Sequence, residues 1–106
     1  ESGAARLTDS GRQQLRLIAA LIREKYAGRT LRIDGHSDSD TVRKGAGFTS
    51  NWDISARRAV AVAEELERAG IDPRRMSVAA YGPHRPHASD PGSKPRNRRV
   101  EIAILK

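Results

Sequence analysis

The segment Leu31-Arg-Ile-Asp-Gly-His36 alternates along its length, and it lies between two stretches whose apolar residues recur at helical spacing. Alternation predicts a strand with one covered face: Leu31, Ile33 and Gly35 inward, Arg32, Asp34 and His36 toward solvent. The cover must come from helices packed on the inward face. The first helical stretch has Thr8 as a plausible N-cap and Leu15, Ile18, Ile22 and Tyr26 at three- and four-residue steps. Leu17 and Leu21 widen its stripe, which predicts a broad contact with a sheet, and Gly28 stops it. In the second, Ser50-Asn-Trp-Asp53 fits a capping box, and Ile54, Ala59, Val62, Leu66 and Ala69 face a core. Gly70 ends that helix and Asp72-Pro73 turns the chain.

Two more strands complete the pattern. Met76-Ser-Val-Ala-Ala-Tyr81 reads as one, although alanine is a weak strand former. Residues 82–95 read as loop, holding four of the five prolines, and Arg99 to Leu105 alternates with Val100, Ile102 and Ile104 inward. A short additional strand is expected within residues 3–7. The order helix, strand, helix, strand, loop, strand predicts an α/β two-layer sandwich with the helices on one face of a mixed sheet. At 106 residues the chain forms a single domain, residues 1–106. Its opening, Glu1-Ser-Gly-Ala, has no basic start followed by an apolar stretch, so a domain of a longer anchored protein is expected.

A formal net charge of +7 invites a polyanionic partner. The basic residues are spread through every segment, and one Trp, two Tyr and one Phe are too few for a base-stacking platform, so no nucleic acid is expected. The absence of cysteine excludes disulfides and thiolate zinc sites. Asp34, His36, Asp38 and Asp40 are the one cluster of potential metal ligands, but the strand ends near His36 and the four need not converge, so no metal and no cofactor is expected. Gly45-Ala-Gly47 follows a loop and lacks the third glycine of a dinucleotide fingerprint. No Gly-x-Ser-x-Gly elbow is present and nothing would activate Ser37, so no catalysis is expected.

The more informative pairing sets Asp38, just past a strand end, against Arg57 and Arg58, one to two turns into the second helix. In a strand-loop-helix unit the strand end and the helix start share a rim. An acid and a guanidinium facing each other there either form a structural ion pair or clamp a zwitterion between them. The loop between them, residues 37–50, is long for so small a domain, and such loops are commonly functional.

Gly35-His-Ser-Asp38, Asn51-Trp-Asp-Ile-Ser-Ala-Arg-Arg-Ala59, Ile71-Asp-Pro-Arg-Arg-Met-Ser77, Tyr81-Gly82 and Asn97-Arg-Arg-Val-Glu-Ile102 together resemble the OmpA-like peptidoglycan-binding domain, in that family's order and over residues 7–105. The long loop and Phe48-Thr-Ser-Asn-Trp-Asp-Ile-Ser55 resemble its flagellar stator (MotB-type) branch more than its outer-membrane tethers. The chain departs from that branch at Asp40-Thr41-Val42, where a proline is usual, and at Gly92 to Arg96, where Glu-Gly-Arg is usual. The resemblance implies noncovalent attachment to peptidoglycan through the diaminopimelate of the stem peptide, in the periplasm. Asp38 would pair with the ammonium and Arg58 with the carboxylate. His36, Ser37, Ile54, Asn97 and Arg98 would complete the pocket, while Trp52 is expected to pack as loop core and Arg99 to be a sheet-edge charge. Further implied partners are a membrane subunit reached through an upstream segment and a second copy of the chain. The latter would form a weak homodimer, for which Ala79, Tyr81, Ala103 and Leu105 would offer an uncovered sheet face.

Overall fold

A computed structural model describes residues 7–38, 50–85 and 98–105. Helix α1 spans Asp9–Lys25, strand β1 Thr30–Gly35, helix α2 Asn51–Arg68, strand β2 Met76–Ala80 and strand β3 Val100–Leu105. A single 3-10 turn, Pro73–Arg75, leads into β2 with Asp72 as its cap. Both helix starts form as their sequences predict. The Thr8 hydroxyl accepts from the Gly11 N–H at 3.0 Å, and the Ser50 hydroxyl from the Asp53 N–H at 3.1 Å. Among the described residues no helix is long and apolar enough to cross a membrane.

The described strands form one mixed sheet in the order β2-β1-β3, with β1 parallel to β2 and antiparallel to β3. The crossover through α2 joins the parallel pair, as a parallel connection requires. Registers such as Ile33 opposite Val78 and Ile102 put Leu31, Ile33, Val100, Ile102 and Ile104 on the helix side. They join Leu15, Ala19, Ile22, Ala59, Val62, Leu66 and Ile71 in one core. This is the two-layer α/β arrangement expected.

Two expectations change. Helix α1 packs chiefly on α2, and α2 is the helix that lies across the sheet. The buried stripe of α1 is therefore the narrow set Leu15, Ala19 and Ile22, while Leu17 (74% exposed), Leu21 and Ile18 face outward and Tyr26 stands at the edge. Ile18 borders an apolar cavity of about 310 Å³ between α1, α2 and β3. The two helices are also stitched by the buried Glu65 carboxylate, which Arg68 approaches at 3.1 Å, Arg12 at 3.9 Å and Arg16 at 4.0 Å.

The second change concerns the open face of the sheet, opposite the helices. Asp34 and His36 were expected in solvent, yet both are buried. Arg32, two residues back on the same face, covers Asp34 with a bidentate pair at 2.7 and 3.0 Å. Tyr81 stacks on His36 at 5.1 Å between centroids, and the Arg85 guanidinium lies over Tyr81 at 4.6 Å. By register Ala79, Glu101, Ala103 and Leu105 share this face with Arg32 and Asp34, so the surface expected to attract a second copy has a charged centre. The proposed strand at residues 3–7 lies outside the described residues except for Leu7.

Candidate ligand-binding site

Gly35, the last residue of β1, decides how the rim is built. A Cβ there would fall far inside contact distance of the Ser55 carbonyl oxygen and 3.2 Å from the Ala59 Cβ. Its backbone is not left-handed, so glycine serves here for space and not for conformation. The gap lets the first turns of α2 settle directly on the strand end. Ser55, fully buried, closes the joint: its hydroxyl donates to the Trp52 carbonyl at 3.0 Å and accepts from the Gly82 N–H at 3.1 Å.

Beyond Gly35 the chain stays tied on both sides. The Tyr81 N–H donates to the Gly35 carbonyl, the His36 N–H to the Arg99 carbonyl and the Ser37 N–H to the Gly82 carbonyl, at 3.0, 2.9 and 2.9 Å. The Ser37 hydroxyl donates to the Asp38 carbonyl at 3.1 Å. Asp38 is thereby delivered, buried to 8% exposure, onto the rim. Arg98, just before β3, meets its carboxylate at 2.9 Å.

The two arginines of α2 separate cleanly. Arg57 is exposed and pairs with Asp53 at 2.9 Å. Arg58 points inward, is 9% exposed, and donates to the His36 carbonyl at 3.3 Å. Burial pushes the Arg58 guanidinium down from its ordinary pKa, the Asp38 carboxylate opposes this, and Arg98 adds to it. Asp38, Arg58 and Arg98 thus share one electrostatic environment, with Ile54 buried on the first turn of α2. Such a group can hold a ligand carrying an ammonium and a carboxylate close together, each matched by an opposite charge in a partly desolvated rim. Asn97 and Asp40 lie outside the described residues, as do His87 and Phe48. Among the described residues no three metal-ligating side chains converge.

His36 reaches this site through its backbone, while its ring lies on the open face beside Tyr81 and 3.9 Å from Glu101. Among the described residues neither ring nitrogen has a hydrogen-bond partner. The groups around it are Asp34 on β1, Arg99 and Glu101 at β3, and Tyr81 and Arg85 after β2. Burial, then Arg99, lowers its pKa, and Glu101 and Asp34 only partly oppose them. The unfolded chain therefore takes up this proton first, and stability falls as pH drops below about 6.5, flattening once the folded imidazole also charges. Thermal melts between neutral pH and pH 5 should show that loss, and His36→Phe, which keeps a ring under Tyr81, should remove it. Glu101, held down by its hydrogen bond from Arg99, adds its own loss only in the carboxylate range below.

Sequence reasoning missed Gly35, Ser55 and Gly82 as builders of the rim. The signal was the paired small residues of Gly35 and Tyr81-Gly82 at two strand ends. Trp52, expected as packed core, is 52% exposed, with its ring against that of His84. Arg99, expected as an edge charge, pairs with Glu101 and donates to the Arg85 carbonyl at 2.9 Å.

The OmpA family model matches residues 1–99. The chain is 39% identical over 80 residues to Motility protein B of Bacillus subtilis, which covers 73% of this chain and 30% of that protein. It is 34% identical over 80 residues to the Peptidoglycan-associated lipoprotein of Pseudomonas aeruginosa, covering 74% of this chain and 45% of the relative. The chain thus spans less than half the length of these relatives. The C-terminal domain of Helicobacter pylori MotB superposes with a TM-score of 0.90 over 100% of this chain and 81% of that one; at 24% identity it speaks to the fold. By sequence and by architecture, the chain belongs to the OmpA family.

Proposed function

We propose that this chain is a non-catalytic module that holds peptidoglycan noncovalently by gripping the diaminopimelate of its stem peptide, and so anchors a membrane-bound parent protein to the wall from the periplasm. The observation that carries the reading is the Asp38–Arg58 rim, an acid and a buried guanidinium delivered by the end of β1 and the start of α2. The side-chain end of diaminopimelate carries ammonium and carboxylate on one carbon. Asp38, which also meets Arg98, receives the ammonium, and Arg58 receives the carboxylate. A lysine side chain lacks that carboxylate and would forgo the contact with the Arg58 guanidinium, which supplies selectivity.

A stator-type parent is supported by the resemblance to Motility protein B, and an outer-membrane tether by the peptidoglycan-associated lipoprotein. A membrane partner subunit belongs to the first of these. A basic adaptor for nucleic acid is the weaker reading, because Arg32, Arg57, Arg68, Arg74, Arg98 and Arg99 are each engaged by a carboxylate. A weak two-fold pairing of the domain remains part of the proposal for a stator-type parent.

Co-sedimentation with purified sacculi separates these. Free diaminopimelate should displace the chain while lysine does not, and binding should persist as salt is raised, because a few desolvated contacts screen far less than a polyanion interface. Equal displacement by lysine, or steep loss with salt, would overturn the stem-peptide reading.

A further inference from the structure

Basic residues are spread along the sequence, but ion pairing sorts them in space. Set aside the arginines already matched to carboxylates, Arg58 of the clamp and Arg85 on the Tyr81 ring. The cations that then remain, with no carboxylate partner among the described residues, are Arg23, Lys25, Arg29 and Arg75. All lie at one pole, formed by the end of α1, the turn into β1 and the turn into β2. The clamp is at the other end of β1, a strand of six residues and thus about 20 Å long.

The charge at this pole is held in place without being cancelled. Arg75 donates through Nε to the Arg29 carbonyl at 2.6 Å and through Nη2 to the Tyr26 carbonyl at 2.8 Å, and Arg29 donates through Nε to the Leu105 carbonyl at 2.8 Å. Carbonyls satisfy N–H groups and fix the corner, but they carry no formal charge. Asp72 is taken by Arg74. Glu24 and Glu67, exposed near the same helix ends, reduce the positive surplus without cancelling it.

An apolar ridge runs into this pole. Leu17, Leu21 and Lys25 follow at four-residue spacing and form one row on the outer side of α1. Both leucines stand well out of the core, and Tyr26, with the Arg29 guanidinium 5.8 Å from its ring centroid, closes the row. A soluble polyanion would engage the cations and leave the leucines in water. A second copy of the chain would cover the leucines but bring like charges together. A bilayer with anionic headgroups answers both features: leucines enter the acyl boundary, the tyrosine ring rests among the headgroups, and the cations meet phosphates.

We propose that the outer side of α1 and the basic pole it leads to form a docking surface for an anionic lipid bilayer. The inference does not depend on the stem-peptide reading. With the clamp at the far end of β1, docking on lipid leaves the wall site open. Binding is reversible, since a short leucine row and a few cations, each worth about fivefold near an anionic surface, do not insert the domain.

Flotation with vesicles tests this, using phosphatidylglycerol mixed with phosphatidylcholine against phosphatidylcholine alone. The chain should float with the mixed vesicles and not with the neutral ones, and less as salt is raised. Lys25→Glu turns attraction into repulsion and should weaken flotation about tenfold or more. The double variant Leu17→Gln, Leu21→Gln keeps every charge and should weaken it by a similar factor. All three positions are exposed, so melting should be unchanged, and pelleting with sacculi, which reads the clamp alone, should match the unmodified chain. Equal flotation with both vesicle types, or with neither, would overturn the docking surface. So would a leucine variant that floats as well as the unmodified chain, which would leave a patch for any polyanion. Concentration-dependent pairing that the leucine variant loses, without vesicle binding, would assign the ridge to a second copy and overturn the proposal as well.

Discussion

Asp38→Ala and Arg58→Ala are each expected to release the chain from diaminopimelate-type sacculi. Removing one member of a desolvated, charge-assisted contact costs about 2–5 kcal/mol of binding, roughly a 30-fold to more than a thousandfold loss. The two substitutions differ in their side effects. Asp38 sits at the rim beside Arg98, and losing it leaves a partly exposed arginine, so the fold should hold. Arg58 is more deeply set and donates to the His36 carbonyl, so its loss leaves a buried acceptor with one partner fewer. Arg58→Lys is the cleaner companion. It keeps a positive charge but not the planar fork that a carboxylate grips in two places, and it should still lose most of the binding. Pelleting of each variant with sacculi, with circular dichroism melts alongside, gives the readout. If Asp38→Ala and Arg58→Ala both pellet like the unmodified chain while folded, neither residue grips the ligand.

How much of this was legible beforehand follows from what each signal reports. The caps at Thr8 and Ser50 are local chemistry, decided within four residues, and both formed as read. Strand positions came within one residue because alternation is also local. The expected breadth of α1's buried face was wrong at Leu17 and Leu21, since periodicity reports a stripe and not the width of the surface opposite. The burial of His36 depends on Tyr81, forty-five residues later, and on Arg85 above it, which no local pattern announces. At the rim, Asp38 and the two arginines were readable as a juxtaposition. Which arginine turns inward depends on how α2 seats on β1, and that seating is set by Gly35. The Trp52 ring packs beside Gly82 and His84, partners far along the chain that no local pattern announces.

Gly35→Ala should be the most damaging single-methyl change in the described structure. The added Cβ would collide with the Ser55 carbonyl, which is helix backbone and cannot rotate aside like a side chain, and it would press on the Ala59 Cβ at 3.2 Å. Overpacking of this kind costs about 1–3 kcal/mol and more where the obstacle is rigid, so a drop in Tm of at least about 10 °C is expected. Gly28→Ala is the control. That glycine has φ 80° with nothing within 4 Å, so its substitution pays backbone strain of about 1–2 kcal/mol but displaces no element. The two variants should then part on function. Relief of the Gly35 collision requires α2 to lift from the strand end, which carries Arg58 away from the His36 carbonyl and from Asp38. Molecules of Gly35→Ala that remain folded at low temperature should therefore bind sacculi poorly, whereas Gly28→Ala, at the far end of β1, should bind as the unmodified chain does. Retained wall binding by folded Gly35→Ala would mean that the seating of α2 does not place Arg58.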